Sequence, residues 1–345
     1  TEDDLRKGLS SIETYAKPER VFVESNCSVS LVGDDVQGIA DQMDIPWPVY
    51  AMDSGGMKGS FEAGYSAASL RIEKEMKTKE KIPASVNVLG LSTVHMKGRE
   101  DAEEIRRLLS LCGIRVISMP GGGSNWEDIM DAPSASLNIV VRDELGLSLA
   151  KQMEQDFGTP YMSCGLPYGT DGTMAWLSEI IEKLGAGELT RASHEAAKLK
   201  EFLLRKGNNL ESLWGPLWFD AVLISAPPSE ALGIAEAIRS EWIDTARLCV
   251  HAQCETEKST PAADAIRVVM KNEKEIAKDY EDWQGGLVLS SSHETHLLRR
   301  MGRSFTGFHI ALPSHDEVHF SDLPQCGLRG AGYLYEQLWN AKLRK

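Results

Sequence analysis

Short runs of β-branched and aliphatic residues alternate along this chain with longer stretches in which apolar positions recur every three or four residues. That is the pattern of parallel strands covered by helices. Val21 to Glu24 reads as a buried strand, followed by a helix near 34–43, a strand at Val49 to Met52 and a helix from about 61 to 77. The Lys- and Glu-rich stretch Lys74 to Lys81 closes this unit as a solvated boundary. A second unit opens with the strand Ser85 to Leu91. It continues through a helix at 100–112, strand Arg115 to Ser118, a short helix after Gly123, strand Leu137 to Val141 and a helix at 144–157. Helices at Thr170 to Leu184 and Leu189 to Arg205 lead into a third unit. Its strands lie at Asp220 to Ser225, Arg247 to His251, Gly286 to Ser290 and Phe305 to Ile310, and a last helix covers about 330 to 343. With no tandem repeat among the units, the pattern predicts an α/β protein of three Rossmann-like parallel-sheet domains, at 1–80, 81–185 and 186–345, around a central cleft.

Composition narrows the class. A chain of 345 residues is too long for one ordinary core, and 42% hydrophobic with 26% charged residues is the balance of a globular protein in water. A formal net charge of −14 and the absence of any dense basic run argue against a nucleic-acid partner. No apolar run reaches the ~18 residues needed to span a bilayer and no apolar leader is present, so no membrane partner and a cytoplasmic location are expected.

The candidate chemistry begins at Cys27. Strand 21–24 ends just before it and Gly33 to Asp35 open a helix, which puts this thiol in a crossover at a strand's carboxyl end, where open α/β sheets bind ligands. A nearby helix N-terminus favours thiolate and hence metal ligation; the alternative is a small residue filling a turn. The other cysteines, Cys112, Cys164, Cys249, Cys254 and Cys326, form no CxxC pair. Cys112 and Cys249 sit in apolar runs and read as core, while Cys164, Cys254 and Cys326 lie in loops where a ligand role stays open. Gly121 to Ser124 lacks the spacing of a nucleotide loop and reads as a turn, and Asp34-Asp35 reads as helix capping before it reads as a metal pair. Histidines gather late in the chain. His315 and His319 have the i, i+4 spacing of a helical metal pair, yet Pro313 and the absent helical pattern favour a polar wall carrying proton donors, with His309 alongside.

Asn26-Cys-Ser-Val-Ser-Leu-Val-Gly-Asp-Asp-Val36 resembles the Ser-Thr-Cys, Leu-Ile-Gly-Asp-Asp-Ile stretch of the nitrogenase component 1 family. The likeness continues in register through Gly56-Met-Lys-Gly59, Val86-Asn-Val-Leu-Gly90, Ala135 to Val140, Gly158-Thr-Pro-Tyr161 with Pro167, Gly169, Thr173 and Leu177, and Gly327-Leu-Arg-Gly-Ala331. That family includes the nitrogenase molybdenum–iron protein subunits, the cofactor-assembly scaffold pair and the light-independent protochlorophyllide reductase subunits. The resemblance implies the three-domain fold, an iron–sulfur cluster shared between subunits with Cys27 as a ligand, and Cys164 and Cys326 as weaker metal candidates. It also implies a reductase ATPase as partner and a homologous second subunit, or a second copy, to complete the assembly.

The departures from the family are as informative. Further cluster cysteines of the family have no counterparts in this sequence. Where the nitrogenase α subunit carries the cysteine that holds its iron–molybdenum cofactor, this chain reads Val140-Val-Arg142, so that cofactor is not expected. Residues lining that cofactor fall at Glu62, Tyr65 and Ser66, and are changed. The expectation is a nitrogenase-like oxidoreductase component that takes low-potential electrons from the reductase through the cluster and reduces a substrate in the cleft. Glu62, His309, His315 and His319 are its candidate catalytic groups, and Cys27, Arg142, Tyr65 and Ser66 its candidate cofactor contacts. An assembly scaffold that holds a metallocofactor without turnover is the alternative. For Arg142 two roles stay open: gripping an anionic part of a ligand, or pairing with Asp143 or Glu144 on the surface.

Overall fold

The computed structural model describes residues 2–52, 55–57, 59–253, 266–270 and 273–344. Cys254 and Lys58 lie outside the described residues. The chain forms two compact units, one up to Ile72 and one from Glu73 onward.

The first unit runs α1 (Glu2–Tyr15), β1 (Val21–Glu24), α2 (Cys27–Val32), α3 (Val36–Asp41), β2 (Val49–Met52) and α4 (Phe61–Glu73), the last crossing into the second unit at its final residue. β1 and β2 pair in parallel from Val21↔Val49 to Glu24↔Met52. Leu5, Leu9 and Ile12 place one face of α1 on a small core with Ala40, Trp47 and Val49, an amphipathic helix beyond the elements expected from the sequence. The crossover after β1 also differs from expectation. Cys27 is the first residue of a short helix rather than part of a loop, because the Asn26 side chain accepts the Val29 amide at 3.0 Å and so starts α2. Gly33, at φ 77°, ends α2 instead of opening a helix, and Asp35 caps α3 by accepting the Gly38 amide at 2.8 Å, the capping role read for it.

Among the described residues, the second unit holds two large parallel sheets and one of two strands. One is built from β3 (Ile82–Leu89), α5 (Gly98–Leu111), β4 (Arg115–Ser118), α6 (Trp126–Asp131), β5 (Ala135–Val140), α7 (Asp143–Phe157) and β6 (Tyr161–Ser163), in strand order β4-β3-β5-β6. After α8 (Thr170–Leu184) and α9 (Thr190–Trp214) come β7 (Trp218–Phe219), β8 (Val222–Ala226), α10 (Pro228–Ala237), β9 (Asp244–Thr245), β10 (Leu248–Ala252), β11 (Ile266–Met270), α11 (Glu273–Glu281), β12 (Leu287–Ser290), α12 (Ser292–Arg300), β13 (Thr306–His309) and α13 (Gly327–Leu343). The larger sheet has the order β11-β10-β8-β12-β13, and β7 pairs only with β9. One apolar core runs through both sheets, taking Val86, Val88, Leu137 and Ile139 from the first and Val222, Ile224, Val250 and Leu289 from the second. The alternate side chains Leu223, Cys249 and Val288 face a separate cluster on the other side of the larger sheet, with Tyr280 and Trp283.

Close backbone approach fixes how α7 lies on the smaller sheet. A Cβ on Gly146 would come 2.8 Å from the Leu89 carbonyl carbon and 2.9 Å from the Gly90 amide. Neither neighbour is a flexible side chain, so the helix would have to move away. Gly146→Ala is therefore expected to cost about 1–3 kcal/mol in urea unfolding, whereas Gly64→Ala, with nothing within 4 Å of its Cβ in α4, costs nothing. Equal stability of the two variants would contradict this packing.

Candidate functional site

In a doubly wound sheet the crevice outside the carboxyl ends opens where the strand order reverses. In the smaller sheet that point lies between β3 and β5, and in the larger between β8 and β12. Arg142 directly follows the first point, at the N-cap of α7, and Glu230 follows the second, in the first turn of α10. The two side chains meet: Arg142 Nε donates to Glu230 Oε1 at 2.6 Å, and Arg142 Nη1 donates to the Gly90 carbonyl at 3.2 Å. Both residues are buried, at 1% and 4% exposure. Gly90, at φ 91°, is what lets β3 come this close, since a Cβ there would sit 2.6 Å from the Arg142 carbonyl oxygen. Arg142 is thus interior and committed to Glu230. Asp143 instead accepts from Ser163 Oγ, and Glu144 from Ser229 Oγ at 2.7 Å.

A shell of buried polar groups surrounds the pair. Asp101 on α5 accepts the amides of Gln325 and Cys326 at 2.7 and 3.0 Å, yet burial outweighs these bonds and the nearby Arg142 charge and pushes its pKa up to about 6. Burial alone would lower the Arg142 pKa, but the charge of Glu230 and its hydrogen bond to the guanidinium, with Asp101 nearby, hold it above the usual arginine range. Burial, then Glu230 and Asp101, raise the Tyr168 phenol well above its ordinary value. Cys326 caps α13 and is fully buried, its thiol held protonated by burial and by Asp101. Asp101 Oδ2, Tyr168 OH, Glu230 Oε2 and Gln325 Nε2 are buried and have no hydrogen-bond partner among the described residues, which is how a site for ordered water or a small polar ligand looks.

The late histidines, from His293 to His319, fall into two groups. His309, at the end of β13, has Nδ1 2.8 Å from Ser314 Oγ, and the same hydroxyl lies 3.2 Å from His319 Nε2. Glu317 Oε2 is 3.8 Å from His319 Nε2 and 4.0 Å from His309 Nδ1, so two imidazoles and a carboxylate converge as a set able to hold a metal ion or relay a proton. Burial lowers the His319 pKa, partly offset by Glu317, which favours the neutral ring either role needs. His315 does not join it. The segment after Pro313 is not helical, so i, i+4 spacing does not bring His315 onto His319. His315 instead lines a separate pocket of about 610 Å³ with His293, His296, Arg299 and Asp316.

Cys27, Glu62, Tyr65 and Ser66 belong to the first unit. Cys27 is half-buried at the start of α2, and bare backbone borders it: a Cβ on Gly56 would lie 3.8 Å from its Sγ, and one on Gly55 would meet Ser30 Oγ at 2.6 Å. Glu62, Tyr65 and Ser66 are half-buried on α4, with the Tyr65 ring 6.2 Å from that of Phe61. Cys164 follows β6, its thiol pushed up to about 12, chiefly by burial. Glu230 was not singled out from the sequence, although an acidic residue in a helix's first turn just past a strand's carboxyl end was a readable signal.

Parallel sheets doubly wound and joined at their switch points define a multi-sheet Rossmann-type protein. The chain belongs to the nitrogenase component 1 type oxidoreductase family, whose model matches residues 1–343. It is 23% identical over 350 residues to a light-independent protochlorophyllide reductase subunit of Chloroherpeton thalassium, covering 96% of this chain and 65% of that protein. With the nitrogenase iron-molybdenum cofactor biosynthesis protein NifE of Clostridium pasteurianum it shares 31% identity over 216 residues, 61% of this chain and 45% of that one. The chain thus spans less than two thirds of the length of either relative. A solved structure titled nitrogenase Cp1 at pH 6.5 superposes with a TM-score of 0.75 at 17% identity, covering 99% of this chain and 79% of that one, which shows the shared fold. No helix among the described residues is long and apolar enough to cross a membrane.

The raised Asp101 pKa has a pH signature. Between about pH 4, where an unfolded aspartate ionises, and pH 6, where the folded one does, the native state holds a proton that the unfolded state has lost. Stability from this group is therefore full below pH 4 and is lost by pH 6, on the order of 2 kcal/mol. Urea unfolding of the wild type and of Asp101→Asn at several pH values checks it: the difference is expected to move in the variant's favour by that amount as pH rises from 4 to 6.5, and a constant difference would contradict it.

Proposed function

We propose that this chain is a component of a nitrogenase-like oxidoreductase that accepts low-potential electrons from an ATP-dependent reductase through an iron–sulfur cluster and delivers them to a substrate. The observation that carries the reading is the setting of Cys27: a half-buried thiol at a capped helix start, with the Gly56 backbone so near that a Cβ there would lie 3.8 Å from the sulfur. Cys27 would hold one edge of a cluster, whose other thiolates would come from elsewhere in the assembly, a homologous subunit or another copy being the arrangement proposed. When bound, such a cluster supplies one-electron transfer at low potential. Within this chain, His309 and His319, joined through Ser314, are proposed to hold and move protons, while Glu62, Tyr65 and Ser66 are proposed to face substrate or cofactor. The interior does not fit the iron–molybdenum cofactor. Arg142 stands where the family resemblance puts a thiolate, and it is a buried cation held by Glu230.

That same closed pair supports a second reading, an assembly or binding protein without turnover. The two are separated by anaerobic purification with iron analysis, followed by mixing with a reduced reductase partner. The oxidoreductase reading expects bound iron that falls at least about tenfold in Cys27→Ser, together with an electron paramagnetic resonance signal that changes on mixing. Iron that remains in Cys27→Ser would remove Cys27 from the site, and iron that never changes oxidation state would favour the scaffold.

A further inference from the structure

On the face of the larger sheet turned away from the shared core, Cys249 and His251 stand two residues apart on β10 and so project to the same side. Asp279 reaches them from α11, and all three are buried, at 1%, 0% and 2% exposure. Their donor atoms form a nearly equilateral triangle: His251 Nε2 to Asp279 Oδ2 is 3.0 Å, Cys249 Sγ to Asp279 Oδ2 is 3.3 Å, and Cys249 Sγ to His251 Nε2 is 3.4 Å.

We propose that Cys249, His251 and Asp279 form a binding site for a divalent, zinc-class metal ion that is separate from the cluster proposed at Cys27. Size supports it. A tetrahedral zinc ion with bonds of about 2.0–2.3 Å to nitrogen, oxygen and sulfur holds neighbouring donors roughly 3.3–3.8 Å apart. The observed triangle is one face of such a tetrahedron, slightly contracted, and the fourth position falls to a water molecule. Charge supports it too. A thiolate and a carboxylate buried together would repel, whereas with a divalent cation between them and a neutral imidazole the group is formally neutral. The donor set of one soft sulfur, one borderline nitrogen and one hard oxygen suits zinc better than magnesium or calcium, which take oxygen alone. Tyr280, whose ring packs edge-on 5.3 Å from that of His251, and Trp283 close the surroundings, while Arg247 lies 3.6 Å from the other Asp279 oxygen and orients the carboxylate. With all three protein ligands buried, such an ion would tie α11 to β10.

The competing account is a triad held by hydrogen bonds alone, with thiol and imidazole both donating to Asp279. Full-length protein carrying Cys27→Ser, so that no cluster thiol contributes, is purified without chelator and assayed for zinc, then stripped and titrated with cobalt(II). About one equivalent of zinc is expected, and cobalt is expected to give the near-ultraviolet charge-transfer band that only a thiolate ligand produces. The band should disappear in Cys249→Ser and Asp279→Asn and persist in His319→Ala, which disables the other histidine cluster. Absence of the band from the triad-intact protein overturns the proposal whether or not the triad variants fold, and so does a band undiminished by Cys249→Ser.

Discussion

The buried contact between Arg142 and Glu230 is the constraint on which the interior of the second unit depends. Each residue follows the carboxyl end of a strand at the point where its sheet reverses direction, so one ion pair closes two crevices that would otherwise both be open to ligands. Moving two charges out of water is costly, and the pair is tolerable because further groups share the load: the Gly90 carbonyl accepts a hydrogen bond from the guanidinium, and Tyr168 and Asp101 lie within electrostatic reach. Asp101 in the same interior is driven toward its neutral form by its own burial, against its two backbone hydrogen bonds and the nearby Arg142 charge.

This arrangement bears on function through the identity of the ligand it excludes. A thiolate at the position of Arg142 would be a soft anionic donor to iron; a guanidinium is a cation with no lone pair to give. The interior is therefore suited to water or a small polar molecule that could satisfy Tyr168, Gln325 and the second oxygens of Asp101 and Glu230. Among the described residues, the two sets of side chains close enough to hold a metal ion lie elsewhere in the second unit and use residues of the larger sheet, while Cys27 in the first unit is the ligand proposed for a cluster.

Much of this fold was legible from local pattern. The β-branched runs mark the strands because parallel strands covered on both faces are continuously apolar, and Asp35 was readable as a cap because carboxylates at helix starts accept free amides. What was hidden depended on long-range contact or on two local signals in competition. Asn26 marks the start of α2, but Gly33 a turn later is equally compatible with a helix beginning or ending, and only the structure shows that it ends one. The i, i+4 spacing of His315 and His319 carries no pair, as Pro313 and the absent helical pattern indicated, because spacing has that meaning only within a helix; what stayed hidden is that the neighbour of His319 lies across a turn at His309, through Ser314. Arg142 gave no hint that its counter-charge is 88 residues away, since only the meeting of two sheets brings Glu230 to it.

A double-mutant cycle on this pair tests the account most directly. Stability to urea is measured for the wild type, Arg142→Met, Glu230→Met and the double variant. An interior locked by this pair gives a coupling energy of about 2–4 kcal/mol, with the double variant more stable than either single one, because each single change strands a buried charge. Additive losses, with coupling near zero, would show that Arg142 and Glu230 act independently and that the crevice is not held closed by their contact.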